Sequence, residues 1–519
     1  MTSSRRVPVA GLVLLCGLAG TVLEAQSPEQ LAADSQRNAA DTVNLSARYL
    51  EGQALSKIRL PVAPRLDPDG VMPSGSRIVL DKEAIKWATA ETVAGLLLEI
   101  PGLYIWRGGW IGRPEYASYQ GRGATSVEYF LDGLPVTPVG PDSVGIDPAL
   151  LPLNLLDRVE IERWAGLLRV RLYTPRHDLA SASTDILVGT GDGSFSRYGG
   201  RIEKRFRSGM GYALAADYWD ALTEEAASSA AQQTNVWFQL SYLSGERWGL
   251  QYQYVMQSPN RAPYVTTAGD SIGAGVKGTR GDMQLRAFLK GGSGNLTRQA
   301  DLVFSSTGWS GSDLSQRING VGVVASWRKP TMSASVSGFL RSRWTNAEVR
   351  GTAGWAPSRL FSASLEAEWL AYDNSRSSRW VGARAGLALP YGFDLGGSAR
   401  LGKVVAAPAI ETNQAQNISD LTAALSWRRS WLSLTADVSQ TSAFQALAPQ
   451  PYLNVPGLAT TPSTTWLSVG GRLAPIPWVI LESRYSNPAS GTANGNPPTH
   501  SLTTVTIRSK FFRTFRSGA

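Results

Sequence analysis

From about Ser183 onward the chain alternates between two kinds of residue, and that period constrains the fold more than any other feature. In DLTAALSW (420–427), Leu421, Ala423, Leu425 and Trp427 fall on one face of an extended strand, with Asp420, Thr422, Ala424 and Ser426 on the other. WLSLTADVSQ repeats the pattern, setting Leu432, Leu434, Ala436 and Val438 against Ser433, Thr435, Asp437 and Ser439. Val321, Val323, Ala325 and Trp327 follow it too, as do Leu467, Val469 and Leu473 against Ser468, Gly470 and Arg472. A soluble sandwich also alternates, but its polar face is usually rich in Lys and Glu. Segments of about ten residues with small polar inward positions fit strands that separate lipid from a wet interior. Beyond the first 25 residues there is no run of 18 apolar residues, so no transmembrane helix is expected. A closed barrel is the other structure that satisfies its backbone inside a bilayer.

The tryptophans agree with a barrel. Trp248, Trp327, Trp427, Trp431 and Trp478 sit beside short turns (GERW, SWRKP, SWRRSW and PIPW), as an interfacial girdle requires. Longer polar connections mark the other strand ends: 223–234, 258–275, 406–416 and 446–463. Short turns on one side and long loops on the other predict periplasmic and extracellular faces respectively. The expected fold is mainly β, a transmembrane antiparallel barrel over 183–519 with about 18 strands, within a range of 16–22. Its last strand, SLTTVTIRSKFFRTF, places Val505, Ile507, Phe511 and Phe515 on one face.

The first 25 residues read as a signal peptide: Arg5 and Arg6, an apolar run from Val7 to Leu23, and a small residue, Ala25, before the cut. Cys16, the single cysteine, lies inside that run, so the mature chain is expected to lack thiols. That excludes disulfides, thiolate metal sites and cysteine nucleophiles together. The formal charge of +9 falls to +8 without Arg5, Arg6 and Glu24, and no element concentrates it as a nucleic-acid binder would. Residues 26–75, polar and then rich in Pro and Gly, predict a flexible periplasmic segment. GDSIG (269–273) and GAGVKG (273–278) match a nucleophile elbow and a dinucleotide loop, but a strand follows them where a helix is needed. With only His177 and His500 available as a base for Ser271, no enzyme is expected.

Residues 76–175 read as a small α/β domain. VEYFLDGLPV carries Asp132-Gly133 between strand-forming residues, the signal of a two-residue type I′ hairpin. In chain order there follow a helix running into LLLEIPGLYI, then GRGATSVEYFLDGLPV, then LLPLNLLDRVEIERWAG. This order resembles the plug domain of TonB-dependent outer-membrane receptors, which sits inside the barrel and closes it. The motif residues are Pro101-Gly102, Arg122-Gly123, Asp132-Gly133 and Arg158-Val159-Glu160-Ile161. Two departures stand out: Gln120 occupies the usual Arg-Gly arginine position, and WAGLLRVRLYTPR after Glu160 has few glycines and fewer residues than usual. Upstream, Asp41-Thr42-Val43-Asn44-Leu45-Ser46-Ala47 resembles a TonB box, which would bind an inner-membrane energy transducer by strand addition.

The resemblance implies a cell outer membrane location and energised import of a scarce, bulky solute such as a metal–siderophore chelate. It also implies outer-membrane lipid and the barrel assembly machinery as partners, with no cofactor and no nucleic acid. Tyr104, Trp106, Arg107, Trp110, Arg113, Tyr116 and Tyr119 are the ligand-contact candidates, because aromatics and arginines together suit an anionic or aromatic chelate. Packing against the barrel wall would use the same aromatics. Two histidines and no mature thiol disfavour a naked transition metal ion as ligand. The alternative function is a plugged barrel without energy coupling, acting in binding or as a structural component.

Overall fold

The computed structural model describes residues 50–507, except 68–69, 89, 108–114, 141–144, 192–194, 222–230, 263, 266–270, 273–274, 312–313, 449–456, 477 and 491–496. The signal peptide, the segment 41–47 and the ligand-contact candidates Trp110 and Arg113 lie outside the described residues. Residues 50–57 belong to a separate N-terminal unit with a short helical stretch at 50–55.

The plug comes first. Its strands are β1 (Arg77–Asp81), β2 (Leu103–Arg107), β3 (Glu115–Tyr119), β4 (Val127–Leu131), β5 (Leu134–Pro135), β6 (Arg158–Trp164) and β7 (Leu167–Tyr173). Five of them form one sheet in the order β1-β6-β7-β4-β5, and β2 pairs with β3. Two short helices, Lys82–Trp87 and Val93–Leu97, pack on the sheet. Asp81 caps the first through its side chain and Thr92 the second. Ile85, Val93, Leu96, Leu97, Val159, Ile161, Leu168 and Val170 make one apolar core between these layers. The hairpin at Asp132-Gly133 forms as the sequence predicts, with φ of 49° and 92° and Leu131 opposite Leu134. WAGLLRVRLYTPR contains β7, which turns tightly through Gly166 (φ 64°) and is buried along its length. This stretch therefore carries a full strand despite its few glycines.

The barrel begins with β8 (Ser183–Gly191), β9 (Phe195–Arg205), β10 (Met210–Ala221), β11 (Ala231–Ser244) and β12 (Trp248–Arg261). A small hairpin, β13 (Tyr264–Val265) and β14 (Ser271–Ile272), interrupts the sequence before β15 (Val276–Ser293). The wall continues through β16 (Leu296–Gly311), β17 (Ser315–Lys329), β18 (Met332–Arg341), β19 (Thr345–Trp355) and β20 (Phe361–Tyr372). Next come β21 (Ser377–Ala388), β22 (Phe393–Val405), β23 (Ala415–Arg428) and β24 (Leu432–Thr441). A second hairpin, β25 (Phe444–Ala448) and β26 (Gly457–Thr461), precedes β27 (Thr464–Ile476), β28 (Val479–Ser490) and β29 (His500–Ile507). Eighteen of these strands make the wall, each antiparallel to the next, and the order brings β29 round beside β8. Among the described residues that seam is not zipped: registers join every other neighbouring pair but not these two.

The alternation decides which way each strand faces. On β23, Leu421 and Leu425 are 53% and 48% exposed on the outside, whereas Asp420 is fully buried on the inside. Apolar side chains out and charges in reverse the arrangement of a soluble protein and suit a lipid surround. Trp248, Trp431 and Trp478 are exposed beside the short turns, and Trp355 and Tyr391 extend the belt, while Trp327 and Trp427 are half-buried. The other end is less purely loop than the sequence predicts. Strand β12 runs to Arg261, β11 begins at Ala231, and the 446–463 connection carries most of the β25–β26 hairpin. Around Ser271 the next element is strand β15, so neither Gly-rich motif has the helix its chemistry needs.

Residues 58–75 have few elements of their own, as their Pro and Gly content dictates, yet they are not loose. They run as a strap between plug and wall. Leu60 N–H donates to Asp178 O (2.7 Å), Arg286 and Gln299 donate to the Pro64 and Arg65 carbonyls, and Val71 N–H donates to Ser333 Oγ (2.7 Å). Leu66 is buried against Val303, Val324 and Phe339. The expectation of a flexible segment misses these bonds because wall side chains, not neighbours in sequence, supply them.

Candidate functional site

At the long-loop end, the β2–β3 ribbon presents the plug's aromatics. Tyr104 meets Trp106 edge-on at 5.0 Å between ring centroids and His500 at 5.1 Å. Trp106 is half-buried beside Ile410 and Leu458, and Arg107 is exposed and paired with Glu115 at 3.2 Å. Tyr116 is instead buried with Ala124, Ala407 and Leu447. Tyr119 is buried deeper, accepting a hydrogen bond from Arg163 Nε (3.4 Å). Of the five described ligand-contact candidates, Tyr104, Trp106 and Arg107 reach the mouth, and the two others pack. Burial pushes the Glu115 carboxyl up to about 7, against the opposing pull of Arg107.

Each sequence motif of the plug turns out to be a fastening. The Gly102 N–H donates to Ser486 Oγ on β28 (3.0 Å), and its φ of 79° explains the glycine after Pro101. Gly123 has φ 75°, and a Cβ there would stand 2.4 Å from the Leu447 carbonyl oxygen, so only glycine lets this turn approach β25. Asp132 does more than turn the hairpin: its carboxylate accepts from Thr174 N–H (3.0 Å), Thr174 Oγ1 (2.8 Å) and Gln253 Nε2 of β12 (2.7 Å). Burial raises its pKa, and those three donors work against the rise. Glu160 is held by Arg65 (3.2 Å), Arg77 (3.1 Å) and its strand neighbour Arg158 (2.5 Å), which ties the strap to the sheet.

Gln120, at the position where the resemblance places an arginine, donates to Ser439 Oγ (2.5 Å) and accepts from Gly166 N–H (2.8 Å). Two residues later Arg122 supplies the charge, pairing with Asp420, donating to Ser442 Oγ (2.8 Å) and lying over the Phe444 ring. Three further arginines bind plug to wall. Arg163 pairs with Asp437, and Arg400 of β22 donates to Gly166 O (3.3 Å) and Asp420 (3.3 Å). Arg169, wholly buried, pairs with Glu128, Glu366 and Glu368. Asp420 and Asp437 were visible in sequence as charges on an inward face, but their plug partners carry no sequence signal.

Beneath this ceiling, toward the short turns, the plug leaves the wall. A cavity of about 480 Å³ opens between the helix end at Leu96–Pro101, Arg163 and Trp164 on one side and the inner faces of β22, β23, β24 and β27 on the other. Gly396, Ser398, Thr422, Thr435 and Gly470 line that wall. Asp420 and Ser439 stand one inward position beyond Thr422 and Asp437, so the Arg122 and Gln120 bonds close the cavity from above. Among the described residues no group of three His, Cys, Asp or Glu side chains is arranged to hold a metal ion.

Comparison with known proteins identifies the parts. The TonB-dependent receptor plug domain family matches residues 72–168. The copper transporter OprC superposes with a TM-score of 0.66 at 10% identity, covering 86% of this chain and 85% of that one. The ferric enterobactin receptor PfeA of Pseudomonas aeruginosa, as a G324V mutant, gives 0.60 at 9% identity over 80% of each chain. The siderophore receptor PirA of Acinetobacter baumannii gives 0.60 at 11%, over 83% and 84%. No curated protein sequence matches the chain. At such identities the structures establish the fold, and the plug match names the domain inside it. That family and fold are those of receptors and transporters rather than enzymes.

Proposed function

Because a TonB-dependent receptor plug domain closes a barrel of membrane type, we propose that this protein is an outer-membrane receptor importing a bulky solute at the expense of inner-membrane energy. The observation that carries the reading is the plug itself, fastened across the lumen by Arg122–Asp420, Arg163–Asp437 and the Arg169 cluster. Such a barrel passes nothing large until those bonds are broken, and breaking them takes work. The short-turn end faces the periplasm and the long-loop end the outside, in an outer membrane of the Gram-negative type. Solute binds at Tyr104, Trp106 and Arg107, where two half-buried rings stand beside an exposed cation. A metal cargo would arrive inside its own chelator, in keeping with the similarity to siderophore receptors. Asp41–Ala47 is the docking strand for the transducer, residues 1–25 direct export, and the barrel assembly machinery inserts the strands.

Site-directed disulfide cross-linking tests the coupling. With Cys16→Ser and Val43→Cys, a cross-link to a cysteine in the periplasmic domain of the host transducer, strengthened by a ferric chelate, is the expected outcome. No cross-link from any position across 38–50, in a barrel shown to be folded, would establish the alternative of a plugged barrel that works without energy coupling.

A further inference from the structure

The cavity under the plug carries an unmatched charge. Six arginines line it, and five have carboxylate partners: Arg77 with Glu160, Arg163 with Asp437, Arg428 with Asp394, Arg472 with Glu482 and Arg484 with Glu99. Arg384, on β21, has none within ion-pair distance among the described residues, although it is 4% exposed. Its Nε donates to Ser364 Oγ (3.2 Å), its guanidinium lies 3.7 Å from the centre of the Trp164 ring, and its Nη1 has no hydrogen-bond partner. Trp164, 1% exposed, lines the same cavity with its Nε1–H also unpartnered. The carboxylates that feel the charge of Arg384, Glu162 and Glu366, are bonded to Arg171 and Arg169. A buried cation with no anion in direct contact is costly, and so is a buried donor without an acceptor. Both residues line one space, whose opposite wall carries small residues, Gly396, Ser398, Thr422 and Gly470, between ion-paired charges.

We propose that this cavity is a binding site for an oxyanion, the carboxylate or phosphate group of a solute in transit, with Arg384 as its cationic partner. The guanidinium fork matches the geometry of either group. The proposal rests on the reading of the barrel as an importer and narrows its cargo to anionic solutes. In passage, the solute leaves the aromatic mouth, crosses the opened ceiling of Gln120 and Arg122, and pauses here before the short-turn end. Small wall residues leave it room.

Charge-selective labelling tests the site without any transducer, so its outcome is independent of energy coupling. In the full chain with Cys16→Ser and Ser398→Cys, purified in detergent, the thiol is offered an anionic sulfonatoethyl and a cationic trimethylammonium methanethiosulfonate. Rates are normalised to a free thiol. The anionic reagent should react about tenfold faster, as a focused positive potential requires, and inorganic phosphate or citrate should slow it. Arg384→Gln should abolish the preference and Arg384→Lys should keep it. Equal rates, a preference that survives Arg384→Gln, or indifference to both phosphate and citrate would each overturn the proposal. If Arg384→Gln does not fold, the parental preference and the competition by phosphate and citrate decide alone. Competition by one anion and not the other distinguishes carboxylate from phosphate recognition.

Discussion

The two flanks of the plug meet the same barrel in opposite ways. Toward β15–β21 the strap and the sheet are bonded to the wall at close range: Leu66 against Phe339, Arg286 on the Pro64 carbonyl, Arg169 among Glu366 and Glu368. Toward β22–β24 and β27 the plug is bonded by Arg122, Gln120 and Arg163, and below those bonds it stands off to leave a cavity of about 480 Å³. A uniformly packed plug would be a stopper. One with a cavity on a single flank has a direction in which it can move once the Arg122–Asp420 and Arg163–Asp437 bonds are broken, because the space lies on that side.

That contrast is breakable, and the largest effect is expected where the strap is tightest. A Cβ on Gly354 would lie 2.3 Å from the Val71 carbonyl oxygen, which is backbone and cannot swing away. Gly354→Leu should therefore displace the strap, costing roughly 3 kcal/mol or more, read as loss of plug protection in limited proteolysis. Next comes Arg169→Met, which leaves Glu366 and Glu368 buried with one partner fewer. Because both keep Arg350 as a partner, a cost of about 3 kcal/mol, the low end for a broken buried cluster, is expected, measured as a lowered thermal transition in detergent. If Arg169→Met were silent, the bonded flank would not be the anchor described above.

Glu115 at the mouth gives a smaller, pH-dependent effect. Its folded pKa of about 7 lies above the unfolded value of 4.5, so its stabilising contribution is complete below about 4.5 and is lost as pH rises through about 7. Glu115→Gln should match the parent at pH 4 and become the more stable by about 1–2 kcal/mol above pH 7, less than the full shift would give because the group is half-buried. Thermal melts of both proteins across that range would show a flat difference if the site did not titrate there. The smallest effect is expected on the open flank, where Ser398→Leu enlarges a wall residue facing empty space. Stability should stay within about 0.5 kcal/mol, and a large loss would mean that the cavity is filled in the working protein.

The sequence discloses the wall better than the site. Period-two alternation specified strands, facing and approximate number, because lipid and lumen impose opposite demands on adjacent residues of β23 and β24. Local turn chemistry likewise disclosed Asp132-Gly133, where two positive φ angles leave few choices of residue. What stayed hidden was pairing across distance. Nothing near Arg122 in sequence points to Asp420, and nothing in Tyr119 separates it from Tyr104, although one ends buried beneath the ceiling and the other at the mouth. The two Gly-rich motifs are the reverse case, local matches that a strand and not a helix follows. The strap has no signal in its own sequence because its order comes from Arg286, Gln299 and Ser333, all contributed by the wall.

The strap also has a mechanical consequence. Its attachments follow one another along the chain: Leu60 to Asp178, then Pro64 and Arg65 to the wall, then Leu66, then Val71 to Ser333. Tension entering at Ile58 would therefore reach them in turn, each neutral hydrogen bond worth only about 1 kcal/mol and the charged bonds of Arg286 and Arg65 about 1.5–3 kcal/mol. A tether fastened in this way yields to a weak, sustained pull that the plug's apolar core, sharing any load across a whole sheet, would withstand. The molecule can be unlaced from one end without being dismantled.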